Sequence, residues 1–164
     1  FGKSDVFDRE VRERFLALYE SAGGGALAAW DAAPQSLLAL IIVLDQFPRN
    51  MFRGEARAFE ADAQALAAAQ RMLERGWDLK LHPLERSFAY LPFEHAEDLG
   101  QQLHAVQLFE KLAADSGAHE PLVWARKHYE VIARFGRFPH RNSILGRVST
   151  AGEIEFLSQP GSSF

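Results

Sequence analysis

Two short segments, about ninety residues apart, repeat a pattern of Phe, Pro, Arg and Asn. They read LDQFPRNMFRG at positions 44–54 and RFPHRNSILGR at positions 137–147, so the second differs mainly by the inserted His140. Because proline disfavours the α conformation of the residue before it, each segment is predicted to end a helix and to begin a tight, rigid connection. Such a connection fixes the directions of its arginines, whose planar guanidinium groups bind carboxylates and phosphates. The repeat therefore predicts a site built from two turns.

The arginines and asparagines of these segments are candidates for binding an anion. From Val131 to Gly152 the chain has no Asp or Glu, although it carries several arginines and a histidine. Acids from elsewhere in the chain, or a bound anion, would offset the repulsion between these cations. We predict that the ligand-binding residues are Arg49, Asn50, Arg53, Arg137, Arg141 and Asn142. The alternative is architectural, because Arg and Asn at such positions also bind the carbonyl groups at helix ends.

Histidines and acids near these segments could transfer protons. The candidates for catalysis are His140, His95, His128, Asp45 and Glu94. A histidine titrates near neutral pH, and arginines lower its pKa whereas a carboxylate raises it. Glu94 and His95 closely follow Pro92, which is predicted to close a short helix. In the alternative interpretation Glu94 is one of the acids in the first turn of the next helix, and His128 is a core residue.

Other kinds of site are excluded or unsupported by the sequence. The chain has no cysteine, which rules out disulfides, thiolate catalysis and cysteine-bound zinc. It lacks the usual metalloprotease, P-loop, nucleophile-elbow and dinucleotide-binding motifs. We therefore predict no metal site, and the sequence does not identify a cofactor.

The charge and the apolar runs restrict the partners. A formal net charge of -4 argues against a general nucleic-acid or membrane-surface binder. The longest apolar run, at positions 37–44, is far shorter than the roughly 20 residues that a membrane-spanning helix needs. We therefore predict neither nucleic acid nor membrane as a partner. The lack of cysteine is compatible with a reducing compartment, and a cytoplasmic location is taken as the default.

The spacing of apolar residues is helical almost throughout. Phe7, Val11, Phe15 and Leu18, for example, follow one another at intervals that place them on one helix face. No long alternating run and no Asn-Gly or Asp-Gly turn suggests a strand. Thr150, followed three positions later by Glu153, predicts a capping box at the start of a last short helix. We predict one all-α domain over residues 1–164, with about seven helices in antiparallel hairpins.

Four strings resemble a known bacterial family, the domain of unknown function 924. They are LDQFPRNMFRG, ERSFAYLPFEHAED, KHYEVIARFGRFPHRNSILGR and the tail FLSQPGSSF, and the similarity extends over essentially the whole chain. The resemblance implies a tetratricopeptide-like, right-handed array of helix hairpins but no established activity. Members usually have Ser after the histidine of the second string, where this chain has Ala96.

Two hypotheses for function follow. In the first, the two turns line a pocket for a small anionic molecule, with His95, His128 or His140 handling protons and Asp45 or Glu94 orienting them. In the second, the chain is a tetratricopeptide-like protein-interaction module that presents a groove to a partner protein. The first requires the two turns to converge on a common cavity.

Overall fold

The chain folds into helices joined by short connections. A computed structural model describes residues 4–162, so Phe1 and Gly2, and Ser163 and Phe164 of the tail string, lie outside the described residues. Within that range there are seven α-helices and no strand: α1 (Asp5–Gly23), α2 (Pro34–Met51), α3 (Asp62–Glu74), α4 (Pro83–Glu94), α5 (Leu99–Ser116), α6 (Glu120–Phe135) and α7 (Ala151–Leu157). Short 3₁₀ segments lie at Ala28–Ala32, Ala56–Phe59, Asp78–Lys80 and Pro139–Arg141. The predicted all-α class with about seven helices is confirmed.

Neighbouring helices in the sequence pack against each other from α1 to α6. In addition α2 contacts α4, and α4 contacts α6, so α2 and α4 lie at the centre of the described fold. The apolar residues of α2, such as Leu37 and Ile41, are fully buried. A smaller apolar cluster at the end of α6 holds Phe138 and packs against Phe156 of α7. The tetratricopeptide-like array and the single domain over residues 1–164 stay predictions.

Helix ends follow the signals in the sequence where a glycine or a capping box is present. Gly136 ends α6 with a φ of 70°, a left-handed conformation that glycine adopts without strain. Thr150 accepts a hydrogen bond from the main-chain N–H of Glu153, and the Glu153 side chain accepts one from the main-chain N–H of Thr150. The predicted capping box is therefore confirmed. No helix in the described part of the chain combines the length and the hydropathy needed to cross a bilayer.

The prediction that Pro48 and Pro92 end their helices is wrong. Pro48 lies inside α2 and Pro92 inside α4, each within the last turn. A proline there removes one main-chain hydrogen bond, but the turn still packs, because Met51 and Phe93 are 4% and 0% exposed. In the same turn, the side chain of Arg49 donates to the carbonyl oxygen of Asp45 at 2.6 Å, which adds a side-chain hydrogen bond near the end of the helix.

The acids after Pro92 are therefore placed differently from the alternative prediction. Glu94 belongs to the last turn of α4 rather than to the first turn of the next helix. Asp98 is the N-cap of α5, and its carboxylate accepts from the main-chain N–H of Gln101 at 2.8 Å. Residues 95–98 thus connect α4 to α5, and His95 is the first residue of this connection.

Candidate functional site

The two repeated segments meet at one carboxylate, Asp62 at the start of α3. Arg49 donates to it twice, from Nη1 to Oδ1 at 2.8 Å and from Nη2 to Oδ2 at 3.0 Å. Arg141 reaches the same Oδ2 from Nη1 at 3.4 Å. Arg49 is directed by the last turn of α2, and Arg141 by the 3₁₀ segment after α6. One acid therefore joins two arginines that are far apart in the sequence.

A cavity of about 470 Å³ lies at this meeting point. Its ionisable lining is contributed by Glu60, Asp62, His95, Glu97 and Arg141. The rest of the lining is apolar, and it consists of Ala56, Phe59, Ala63, Leu66, Pro92, Ala96 and Leu145. The cavity is thus of a size that suits a small molecule, and it has a polar end and an apolar wall.

Arg141 is the cation of the cavity whose charge is least compensated. It is only 6% exposed, and its guanidinium carbon lies 4.6 Å from the ring centre of Phe59 and 4.5 Å from that of Phe138. These contacts fix the plane of the group without neutralising it. Its Nε is buried and has no hydrogen-bond partner among residues 4–162. Burial and the charge of Arg49 lower the pKa of Arg141 to about 10, so the group stays positive at neutral pH.

Asp45 and His95 form a buried hydrogen-bonded pair beside the cavity. His95 donates from Nδ1 to Oδ1 of Asp45 at 2.7 Å, and Gln46 donates to Oδ2 at 2.6 Å. Nη1 of Arg49 lies 3.2 Å from Oδ1. Burial alone would raise the pKa of Asp45, but the charge of Arg49 and the bonds from His95 and Gln46 hold it well below its usual range.

The pair leaves His95 neutral and oriented. Burial and the charge of Arg49 lower the pKa of His95, and the carboxylate of Asp45 opposes this effect only in part. Because Asp45 is ionised and accepts from Nδ1, the proton of the neutral ring is on Nδ1 and the lone pair is on Nε2. Nε2 has no protein hydrogen-bond partner in the described range, and the His95 side chain lines the cavity. The ring can therefore accept a proton from a molecule bound there.

Glu94 and His128 form a second buried pair next to the first. Oε1 of Glu94 lies 3.2 Å from Nδ1 of His128, which is also 2.9 Å from the carbonyl oxygen of Trp124. The rings of His95 and His128 have their centres 6.2 Å apart. Burial and the charge of Asp45 raise the pKa of Glu94 to about 8, and burial and the nearby His95 lower the pKa of His128 to about 3. Both groups are consequently uncharged at neutral pH.

His140, the residue inserted in the second segment, lies close to this cluster. Its ring centre is 5.6 Å from that of Phe138. Burial and the charge of Arg141 lower the pKa of His140 to about 4, so it is also neutral at pH 7. Its side chain and that of His128 are not among those that line the cavity at Asp62.

The other predicted ligand-binding residues lie elsewhere, in contacts within the chain. Asn50 and Arg53 both donate to the carboxylate of Asp8 on α1, Asn50 at 2.8 Å and Arg53 at 2.6 and 3.0 Å. Asn142 donates from Nδ2 to Oγ of Ser149 at 3.0 Å. The structure therefore does not bring these side chains to the cavity.

Arg137 is bound in the same internal manner. Its Nε and Nη2 donate to the two carboxylate oxygens of Glu153 at 2.6 and 2.8 Å, and Nη2 also donates to the carbonyl oxygen of Val148 at 2.9 Å. These bonds link the second segment to the start of α7. Of the six predicted anion ligands, only Arg49 and Arg141 are joined at the cavity, and of these only Arg141 lines it.

The residues that sequence reasoning missed include Asp62, Phe59, Glu60 and Glu97, which line the cavity, and Arg147, which binds Glu97. Arg147 donates from Nη1 and Nη2 to the carboxylate of Glu97 at 2.6 and 2.9 Å. Glu97 also accepts from the main-chain N–H of Phe138 at 2.8 Å, so it ties the second segment to the α4–α5 connection. Arg147 stands at the end of the second segment, and its position there was a usable signal. An isolated Asp before an alanine-rich helix gave no such signal for Asp62.

No group of three or more His, Asp or Glu side chains within residues 4–162 is arranged to hold a metal ion. The polar groups described above are instead paired two by two, as Asp45 with His95 and as Glu94 with His128.

Comparisons with known proteins agree with this fold. No curated protein matches the chain. Among solved structures, that of a protein of unknown function from Agrobacterium tumefaciens, ATU0120, is similar to it with a TM-score of 0.90 and 39% sequence identity, over 96% of this chain and 86% of that one. The sequence profile of a bacterial family of unknown function matches residues 1–161. The chain therefore belongs to the family described as "Bacterial protein of unknown function (DUF924)", as its repeated segments predicted.

Proposed function

We propose that the protein binds a small anionic molecule in the cavity at Asp62, with Arg141 as the positive partner of the anion. The observation that carries the proposal is the state of this guanidinium, which is buried, oriented by two aromatic rings and held within residues 4–162 by a single long hydrogen bond. Buried donors of a charged group are normally satisfied, and leaving them without partners is unfavourable. An anion in the cavity would supply the missing acceptor.

Arg49 has a different part in the proposed site. Its guanidinium is held by two carboxylates, Asp45 and Asp62, and by a main-chain carbonyl. It therefore has little capacity left for a ligand, and it acts by fixing Asp62 and Asp45 in place. Asp45 in turn orients His95, which would accept a proton from a ligand that has one to give.

The proposal is tested by thermal unfolding of the full chain with a panel of anions at constant ionic strength. Inorganic phosphate, sulfate, acetate and hexanoate would each be compared with sodium chloride, since a ligand that binds only the folded state raises the unfolding temperature. We expect at least one anion to raise it in the wild type and to lose this effect in Arg141→Gln. Arg53→Gln is the matched control, because Arg53 binds Asp8 outside the cavity. Equal stabilisation of the wild type and Arg141→Gln, or no stabilisation by any of the anions, would contradict the proposal.

The alternative function is a tetratricopeptide-like interaction module. The observation that favours it is a second, smaller cavity of about 230 Å³ on the surface of α4 and α6, where Leu84 and Trp124 are 65% and 43% exposed. A partner protein recovered in a fixed ratio, whose binding is lost in Trp124→Ala but kept in Arg141→Gln, would support this alternative. A cytoplasmic location remains a proposal that is supported only by the lack of cysteine.

A further inference from the structure

The charges around the cavity restrict the charge of its ligand. Arg49 and Arg141 face Asp45 and Asp62 in one connected set of contacts, and Arg147 pairs separately with Glu97. His95 and Glu94 add no charge at neutral pH. Glu60, which also lines the cavity, lies 4.0 Å from Arg57, so the charges around the cavity are paired before any ligand binds. A ligand with two negative charges would meet three acids of the lining, Glu60, Asp62 and Glu97, and Arg141 is the single arginine that lines the cavity among residues 4–162. One arginine can offset one negative charge, so a ligand with a single negative charge fits this lining better.

The hydrogen-bonding edge of Arg141 restricts the shape of the anionic group. Nη1 is directed at Asp62, and neither Nη2 nor Nε has an acceptor among residues 4–162. Nη2 and Nε lie on the same edge of the guanidinium, and a planar carboxylate can bind both donors of such an edge. A carboxylate bound on this edge from the cavity would supply the acceptors that Nη2 and Nε lack.

The wall of the cavity restricts the rest of the ligand. Away from Arg141 and Asp62 the lining is formed by Phe59, Leu66, Pro92, Ala96 and Leu145, and the small side chain of Ala63 lies in the first turn of α3. None of these side chains offers a hydrogen bond. A polar body would lose its hydration against this wall without replacement, whereas an apolar body gains by leaving water.

We infer that the ligand is a monocarboxylic acid with an apolar aliphatic or aromatic body, bound with its carboxylate on Arg141 and its body against the wall of Phe59, Leu66 and Leu145. This inference rests on the proposed function, which states only that the ligand is an anion. His95 lines the same cavity, so its Nε2 is available to accept a hydrogen bond from a polar group of the bound ligand. Two features of the cavity together select this class of ligand, namely the paired charges around it and its apolar wall.

A series of ligands that share one chain tests the head group. Hexanoate, hexanamide and hexyl phosphate have the same apolar chain, and they would be titrated calorimetrically into the full-length protein at pH 7.5. We expect hexanoate to bind about tenfold or more tightly than either of the others, because the amide lacks the charge and the phosphate carries close to two. Acetate tests the contribution of the apolar chain to binding. We expect it to bind about tenfold or more weakly than hexanoate, because it buries fewer apolar groups.

Two variants test the location of the site. Arg141→Lys keeps the charge but removes the planar pair of donors, so we expect about a tenfold or greater loss of hexanoate affinity. Arg53→Lys is the same substitution at an arginine outside the cavity, and its affinity should stay equal to that of the wild type. Ala63→Phe places a large ring at an exposed position of the cavity lining without entering the core, so it should block hexanoate even if Arg141→Lys fails to fold.

Each outcome bears on a different claim. If hexyl phosphate or inorganic phosphate binds more tightly than hexanoate, the inference is wrong and the proposed anion site stands. If acetate binds as tightly as hexanoate, or if Ala63→Phe binds hexanoate as the wild type does, the claim that an apolar body binds against the cavity wall is wrong. If no carboxylate or phosphate binds at all, both the inference and the proposed function fail.

Discussion

Replacing Asp45 with asparagine removes the charge that holds Arg49 and His95 in position. Asp45 is 1% exposed, and its carboxylate contacts Arg49 at 3.2 Å and His95 at 2.7 Å. Removing one partner from a buried ion pair usually costs about 3–5 kcal/mol, because the other charge stays buried and unpaired. Arg49 keeps its two bonds to Asp62 in this variant, so we expect a loss of about 3 kcal/mol, at the lower end of that range.

The loss can be measured by urea unfolding at pH 7, together with the unfolding temperature. For a chain of this length, about 3 kcal/mol corresponds to a fall of about 6–12 °C. Asp31→Asn is the matched control, because Asp31 also pairs with two arginines, Arg71 and Arg75, but at an accessible position where its side chain is 28% exposed. A pair of that kind usually contributes about 0–1 kcal/mol.

A second measurement separates the loss of orientation from the loss of stability. The carboxylate of Asp45 raises the pKa of His95 against burial and the charge of Arg49. Without it, the pKa of His95 should fall further below its ordinary value, which the chemical shift of the ring would report in a titration by NMR. If Asp45→Asn is no more destabilising than Asp31→Asn, or if the pKa of His95 rises, the buried ion pair does not stabilise the site as we reason.

Two further predictions concern the buried groups around the site. We expect the free energy of unfolding to be greatest near pH 6.5. The pKa values of His128 and His140 are lowered to about 3 and about 4 in the folded state, so their contribution to stability is present above the ordinary histidine pKa and is lost as the pH falls. The pKa of Glu94 is raised to about 8, so its contribution to stability is lost as the pH rises through that value. Urea unfolding from pH 4 to pH 8.5 checks this, and stability that rises steadily towards either end would contradict it. We also expect Gln102→Leu to lower the free energy of unfolding by about 1–3 kcal/mol, because the buried amide donates to the carbonyl oxygens of Glu94 and Ala96 at 2.5 and 2.8 Å. The same change at Gln107, which lies on α5 with Gln102 but is exposed, should have little effect on urea unfolding.

The fold was largely predictable because its helices carry local signals. The helical spacing of apolar residues, the capping box at Thr150 and the glycine at 136 each specify structure within a few neighbouring residues. The helix ends predicted from Pro48 and Pro92 were wrong. A proline disfavours the helix locally, but the last turns are retained because Met51 and Phe93 pack in the core. Local rules therefore predicted the elements better than their ends.

The site was less predictable because its defining contacts are between distant positions. The repeat singled out Arg49 and Arg141, but their shared partner Asp62 lies 13 and 79 residues away from them. A single acid near a helix start is common, so nothing in the sequence distinguished Asp62 from other acids. In the same way, the binding of Arg53 and Asn50 to Asp8 depends on how α1 packs against α2, which apolar spacing alone does not specify.

The chemistry of the site follows from the differences between the two repeated segments rather than from their similarity. In the first segment Arg49 is helical, and two carboxylates with a main-chain carbonyl use its donors. In the second, with its inserted His140, Arg141 lies in a 3₁₀ segment, and within the described part of the chain its guanidinium makes a single hydrogen bond, to Oδ2 of Asp62 at 3.4 Å. Because Asp62 binds Arg49 at both oxygens, its contact with Arg141 is long, and Nε and Nη2 of Arg141 have no acceptor among residues 4–162. One copy of the motif therefore builds the support, and the other lines the cavity with an arginine that has unused donors.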